Sequence, residues 1–266
     1  MGNSKMLNAA VLSNVGLLRR NNEDNYILGH CLNDESKDES KSFMCCMEKE
    51  WICCGVFDGM GGIDAGEAAS LAAAESFQAA FLNDVNGYDY EKINEIVENT
   101  FSIANSAVCK LGENKSGCGT TGTVVVTDGD RFKIYHVGDS RAYLWRGGEL
   151  FLLTKDQTVA QMKMDIGVYG DLNQAQEKEH HQLVEFIGYE DDGNMLIPLE
   201  SKWNELLEGD KILVCSDGLY DMCSDAVIYE IFKKGLQAEE LTEEFVKCAL
   251  EHGGKDNVTA LVLERG

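Results

Sequence analysis

The sequence predicts an α+β fold: packed antiparallel sheets with helices laid over their outer faces. Three observations predict it. β-like runs occupy both ends and the middle of the chain, and two helical segments fall early and two late. The middle runs are joined by Asp-Gly and Gly-Gly turns that suit hairpins. This order is not the βαβα alternation of a doubly wound sheet.

The elements follow in order. Asn8 to Gly16 contains alternating apolar residues and reads as a first strand. Arg19 to Asn25 is a polar turn, and Tyr26 to Leu28 a second, short strand. Residues 33–42, NDESKDESKS, form a solvated hairpin loop or insertion, and FMCCMEKEWICCGVF supplies strand material ending at Asp58. The alanine-rich run from Asp64 to about Leu82 is helical, with Leu71, Phe77 and Phe81 as its buried stripe. A second helix covers about Tyr90 to Leu111, with Ile93, Val97, Phe101 and Val108 at helical spacing. TVVVTDG, RFKIYHVGD, RAYLWRGG and ELFLLT then make an antiparallel meander. Residues 155–195 lack clean periodicity and read as short helices and loops. Lys211 to Cys215 is a strand, two helices follow up to about His252, and Asn257 to Leu263 closes as a strand. No internal repeat is evident.

With 266 residues, 44% of them hydrophobic, and one proline, the chain suits one large domain over 1–266, or at most two small ones. Its 46 acidic residues against 23 basic ones give a formal net charge of −23, which disfavours nucleic acid and anionic membrane as partners. A phosphate site on such a surface needs a cation or a few placed arginines. The ten cysteines include the adjacent pairs Cys45-Cys46 and Cys53-Cys54 inside apolar runs, and no CxxC pair exists for zinc. They read as mostly buried, reduced thiols of a cytoplasmic protein, since no signal sequence and no run long enough to span a bilayer is present.

Three patterns carry nothing. GCGTTG at 117–122 matches GxGxxG, but a helix precedes it and a strand follows, the reverse of a dinucleotide site. Asp128-Gly129-Asp130 lacks the remaining ligands of a calcium loop and reads as a hairpin turn. His180-His181 reads as a solvated pair. The stronger signal is a recurrence: VFDG at 56–59, VGDS at 137–140, VCSDG at 214–218 and GKDN at 254–257 read as β-like runs ending in aspartate, and Glu23-Asp24 follows Arg19. Each alone is more often a turn. Gathered in one acidic domain, such carboxylates repel one another and are tolerated best around divalent cations. Oxygen ligands select magnesium or manganese, and two such ions ~3.5–4 Å apart serve phosphate-ester hydrolysis.

Together these residues resemble the metal-dependent serine/threonine protein phosphatases, the type 2C family, in its bacterial form. The matching motifs are R-x-x-N-E-D at 19–24, DGMGG with GEAAS at 58–70, GTT at 119–121, VGDSRAYL at 137–144, LTKDQT at 153–158, SDGLYD at 216–221 and DNVT at 256–259. The resemblance implies a four-layer α-β-β-α sandwich and a flap-like segment at about 155–195. It implies two manganese or magnesium ions, with a third, weaker position. Asp58 would bridge both ions and the Gly59 carbonyl would help bind the second. Asp217 and Asp256 would complete the first ion's shell, and Glu23 and Asp24 would serve the second directly or through water. Asp139 with Asp217 would form the third position. Arg19 would hold the substrate phosphate, and Asn257 would orient its neighbour or a ligated water. The implied partners are phosphorylated proteins, targets of a serine/threonine kinase, and the chain is expected to be a monomer.

Two positions depart from the family pattern: Met60 and Ile63 stand where relatives carry histidine. The flap also matches poorly, with EHHQLVEFIG in place of a histidine-proline-arginine pattern. The competing readings are a catalytically inactive scaffold or sensor with the same fold, and a structural calcium cluster.

Overall fold

The structure, a computed structural model, describes residues 5–29, 31–32, 41–47, 51–61, 65–82, 85, 87–112, 117–189 and 196–266, without the side chains of 5, 41–47 and 112. Strands β1 (Lys5–Asn14), β2 (Asp24–Leu28), β3 (Cys31–Leu32), β4 (Lys41–Met47) and β5 (Ile52–Met60) precede two long helices, α1 (Ala65–Leu82) and α2 (Tyr90–Gly112). β6 (Gly119–Thr120), β7 (Gly122–Thr127), β8 (Arg131–Val137), β9 (Arg141–Arg146) and β10 (Glu149–Leu152) follow, and they correct the expected meander: β7 and β8 pair in one sheet and β9 and β10 in the other, so the chain crosses between sheets after β8 and forms two hairpins. Short helices α3 (Val159–Asp165) and α4 (Glu177–His180) lead to β11 (Leu199–Glu200), β12 (Asn204–Glu205) and β13 (Lys211–Cys215). The chain ends with α5 (Asp217–Tyr220), α6 (Asp225–Phe232), α7 (Ala238–Glu251) and β14 (Val258–Arg265).

Two sheets form. One runs β10-β9-β13-β14-β1-β4; the other runs β11-β8-β7-β5-β2-β3, with β12 beside β8 and β6 beside β5. All the registered pairs are antiparallel. Both faces of each sheet are covered, so the central strands are apolar on both sides rather than alternating with polar residues. Along β1, Leu7, Ala9 and Val11 face the other sheet while Ala10 faces the late helices. Along β5, Ile52, Cys54 and Val56 face the sheet interface, and Cys53 and Phe57 face α1 and α2. Three apolar layers therefore separate four structural layers, the α-β-β-α sandwich expected from the sequence.

Packing carries this order to the strand ends. Phe77 of α1 sits between Phe57 and Phe101, with ring centroids 5.5 and 4.9 Å away, and so fastens both early helices onto β5. On the opposite side Leu241, Phe245 and Val246 of α7 pack on Ala10, Ala260 and Val262. The 64–82 and 90–111 helices match α1 and α2 within a residue at the described ends; residues 62–64, with Ile63 and Asp64, lie outside the described residues. Residues 33–40 of the expected loop do too. The late region holds three helices where two were expected, because α5 is a single turn.

One buried histidine makes this fold sensitive to acid. His136 on β8 is 2% exposed; its Nδ1 lies 2.8 Å from the Thr123 hydroxyl and its Nε2 3.2 Å from the Lys155 carbonyl. Burial pushes its pKa down from 6.5 to about 4. Between those values the unfolded chain binds the proton and the folded one does not, so stability is present above 6.5 and is lost as pH falls toward about 4. The full loss is about 3 kcal/mol. The unfolding free energies of wild type and His136→Gln should diverge by about 2 kcal/mol between pH 7.5 and 5, wild type losing more. Parallel curves would locate the acid sensitivity elsewhere.

Candidate active site

Several chain segments bring carboxylates to one end of the sandwich. Asp58 lies near the end of β5, and antiparallel register sets Asp24, the first residue of β2, directly opposite it. Asp217 opens α5 immediately after β13, and Asp139 follows β8. Asp256 corrects the sequence reading of GKDN as a strand end. Gly253 and Gly254 turn the chain at positive φ, and Asp256 and Asn257 lead into β14 rather than ending a strand.

Asp24 is 1% exposed and is held by hydroxyls. Ser216 and Thr259 each donate to its Oδ2 at 2.7 Å. With Thr259 donating to Asp24, Ser13 donates to Thr259 at 2.7 Å, and the Asn22 amide donates to Ser13 at 2.9 Å. Burial pushes the Asp24 carboxyl up to about 7, against the lowering effect of the Thr259 and Ser216 bonds, and Asp217 and Asp256 add repulsion. Glu23, its neighbour, is the one that lines the cavity.

Asp58 is fixed through its backbone by the Gly-Thr-Thr segment. Its N–H donates to the Thr121 hydroxyl at 2.9 Å, and its carbonyl accepts from the Thr121 N–H and the Thr120 hydroxyl, both at 2.9 Å. Gly59 donates its N–H to the Glu23 carbonyl at 3.2 Å, and a Cβ there would stand 2.2 Å from the Gly66 carbonyl oxygen. Close backbone packing of β5 against the start of α1 therefore requires glycine at 59. Burial drives the Asp58 pKa well above the ordinary range, and the charges of Asp24, Asp217, Asp139 and Asp256 push it further. Asp139, 4% exposed, is raised in the same way by burial and then by Asp217. Asp256 is raised by burial and Asp217, partly offset by its own hydrogen bonds.

A cavity of about 670 Å³ is lined by Arg19, Glu23, Asp58, His181, Asp217 and Asp256 among others, with Asp24 and Asp139 buried behind its lining. Arg19 stands at its rim, half exposed, with Nη2 2.5 Å from Asp256 Oδ2. The Asn257 side chain accepts from the Glu23 N–H at 2.8 Å and donates to the Val15 and Asn21 carbonyls, both at 2.9 Å. It clamps the polar turn that carries Arg19 and Glu23, while its own N–H donates to Asp256 at 2.8 Å. The donor set is all oxygen and its charges repel one another, which is the chemistry of a hard divalent cation site.

His181 is a further correction. It is exposed, as read, but it also reaches from the segment after α4 to the acids, with Nδ1 3.6 Å from Asp217 and 3.7 Å from Asp221. Asp217 above all, then Asp221, holds its pKa up to about 9 despite partial burial. Sequence reasoning also missed Asp221, Ser216, Thr259 and Thr121, although every one of them sits inside a quoted motif. The hydroxyls read there as turn or strand formers. The Asp-Gly-Asp turn stands as read, with Asp128 Oδ1 accepting from the Asp130 and Arg131 N–H groups at 3.0 and 2.9 Å.

Known proteins resemble this chain in sequence and fold. A family model described as protein phosphatase 2C matches residues 30–260. The serine/threonine protein phosphatase PstP of Mycobacterium tuberculosis is similar at 32% identity over 265 residues, 97% of this chain and 45% of PstP. The chain thus spans somewhat under half the length of that relative. The serine/threonine phosphatase stp of Listeria innocua is 27% identical over 256 residues, 94% of this chain and 92% of stp. A crystal structure of the PstP catalytic domain in complex with two manganese ions superposes with a TM-score of 0.75 at 30% identity, covering 98% of this chain and 99% of that one. On sequence and fold together, the chain belongs to the protein phosphatase 2C family.

Proposed function

We propose that this chain is a manganese- or magnesium-dependent phosphatase that hydrolyses phosphoserine and phosphothreonine in proteins. The observation that carries the proposal is the cavity itself: clustered carboxylates, among which burial and then the neighbouring charges raise Asp58, with an arginine at the rim. In this reading Asp58 would serve both ions, Asp217 and Asp256 would hold the first, and Glu23, the Gly59 carbonyl and the more deeply buried Asp24 would serve the second. Asp139, buried behind the cavity, with Asp217 would form a third, weaker position. Such ions supply Lewis acidity and a water of lowered pKa. The chain's own residues fix the acids: Thr120 and Thr121 hold the Asp58 backbone, Ser216 and Thr259 hold Asp24, and Asn257 clamps the Arg19 turn. Manganese in the PstP crystal structure supports the metal assignment, and the names of the relatives support the substrate class.

The proposal extends to one catalytic domain over residues 1–266 with a flap at about 155–195, acting as a cytoplasmic monomer opposite a serine/threonine kinase. Free cysteines among the described residues support a reducing compartment. No described helix is long and apolar enough to cross a membrane.

Phosphate release from a phosphothreonine peptide, measured with manganese and then with excess chelator, tests the function. Chelator-sensitive release is expected; a protein that binds manganese but releases no phosphate is the inactive scaffold instead. Arg19 is tested separately. Removing a charge-assisted phosphate contact worth about 1.5–3 kcal/mol should weaken phosphate-analogue inhibition of Arg19→Ala by about 10–100-fold. An unchanged inhibition constant would restrict Arg19 to its present partner, Asp256.

A further inference from the structure

A second cluster of ligand atoms lies in the helical layer that covers β13 and β14, and it is built from sulfur and nitrogen. Cys248 lies in the last turn of α7, and His252, four residues on, is the helix's C-cap, so the two share one face. Cys223 reaches them from the turn after α5, where its N–H donates to the Leu219 carbonyl at 2.8 Å. Cys223 Sγ is 3.1 Å from Cys248 Sγ, and Cys248 Sγ is 3.6 Å from His252 Nδ1. One ligand atom from each residue lies within 4.8 Å of the other two. Exposure rises from the buried Cys223 through the half-buried Cys248 to the exposed His252, which leaves an access route from solvent.

The spacing suits a tetrahedral ion. Bonds of ~2.3 Å to sulfur and ~2.0–2.1 Å to nitrogen set those two atoms about 3.6 Å apart, and Cys248 and His252 already stand at 3.6 Å. Two sulfurs on one zinc stand about 3.8 Å apart, so the thiols open slightly from 3.1 Å. His252 Nδ1 exchanges its 2.8 Å contact with the Cys248 carbonyl for the ion. Without an ion, burial above all, and then the Cys248 neighbour, push the Cys223 thiol far up. Thiolate and imidazole favour zinc over the magnesium or manganese that suits the carboxylate cavity.

We propose that Cys223, Cys248 and His252 form a three-ligand site for a soft divalent ion, zinc, with a fourth position open to solvent. Cys223 follows α5, whose first residue is Asp217 and whose C-cap is Asp221, and Cys248 precedes Asp256 by the last turn of α7 and the Gly253-Gly254 bend. An ion there fastens together the two segments that present acids to the cavity.

Cobalt is the probe, added to metal-stripped protein kept reduced by a phosphine. A thiolate-to-cobalt charge-transfer band should saturate at one equivalent, be displaced by zinc, and be lost in Cys223→Ser and in Cys248→Ser. His252→Ala, at an exposed position, should keep the fold and weaken or shift the band. Carboxylates give no such band, so the readout is independent of phosphatase activity. Absence of the band in wild type overturns the proposal, and so does its persistence in the double serine variant, which would trace it to other cysteines.

Discussion

Asp58→Asn should abolish metal-dependent phosphate release while leaving the metal-free protein at least as stable as wild type. The two effects have one cause. The half-buried Asp58 carboxylate stands among Asp24, Asp217, Asp139 and Asp256, and its desolvation and then their charges oppose its ionisation. The amide keeps the shape and removes that repulsion, so metal-free melting should hold or rise. Losing the carboxylate proposed to be shared by both ions removes several kcal/mol of transition-state stabilisation, about a 10³-fold drop or more. The rise in Tm that manganese gives wild type should shrink in the variant. Phosphate release and thermal melts, each with manganese and with chelator, check both halves. Lost activity together with a collapsed metal-free melt would assign Asp58 to folding rather than to metal.

Gly218→Ala should damage both stability and activity. Gly218 is the second residue of α5, and an added Cβ would stand 2.0 Å from the Asn257 carbonyl oxygen and 3.0 Å from its carbon. Both atoms are backbone, so no side-chain rotation relieves the clash. Either the start of α5 or the lead-in to β14 must move, and these carry Asp217 and Asp256. Overpacking of this kind costs about 1–3 kcal/mol, which lowers Tm by roughly 2–6 °C in a chain of this size. Gly170→Ala is the control, since its Cβ would meet only Gln174 Nε2 at 3.9 Å. Melting curves that coincide for the two variants would show that the close approach at Gly218 is not a constraint.

Most of the fold was legible because its signals are local. The helices α1 and α2 are long, rich in helix formers and periodic, and the strands β7 to β10 are punctuated by turn residues with a physical reason to be there, although their division between two sheets was not legible. The single-turn α5 was not legible, since four residues, DGLY, carry no period. Asp256 was recognised as a site candidate and the strand after it was read; the bend that turns the chain into that strand rests on the positive φ of Gly253 and Gly254. The acids themselves stood out by recurrence. What holds them did not: the Asn22–Ser13–Thr259–Asp24 chain joins residues 246 positions apart at one step, and nothing in a run of sequence marks a hydroxyl as its member. His181 was hidden for the opposite reason. A charged, aperiodic segment looks solvated whichever way it folds, and only tertiary contact turns one of two adjacent histidines toward Asp217.

Anomalous diffraction from crystals grown with manganese tests the dinuclear centre most directly. The expected result is two peaks ~3.5–4 Å apart in the cavity between Asp58, Asp217 and Asp256, with the second peak on the Glu23 side. Peaks confined to surface carboxylates, with that cavity empty at saturating manganese, would contradict it.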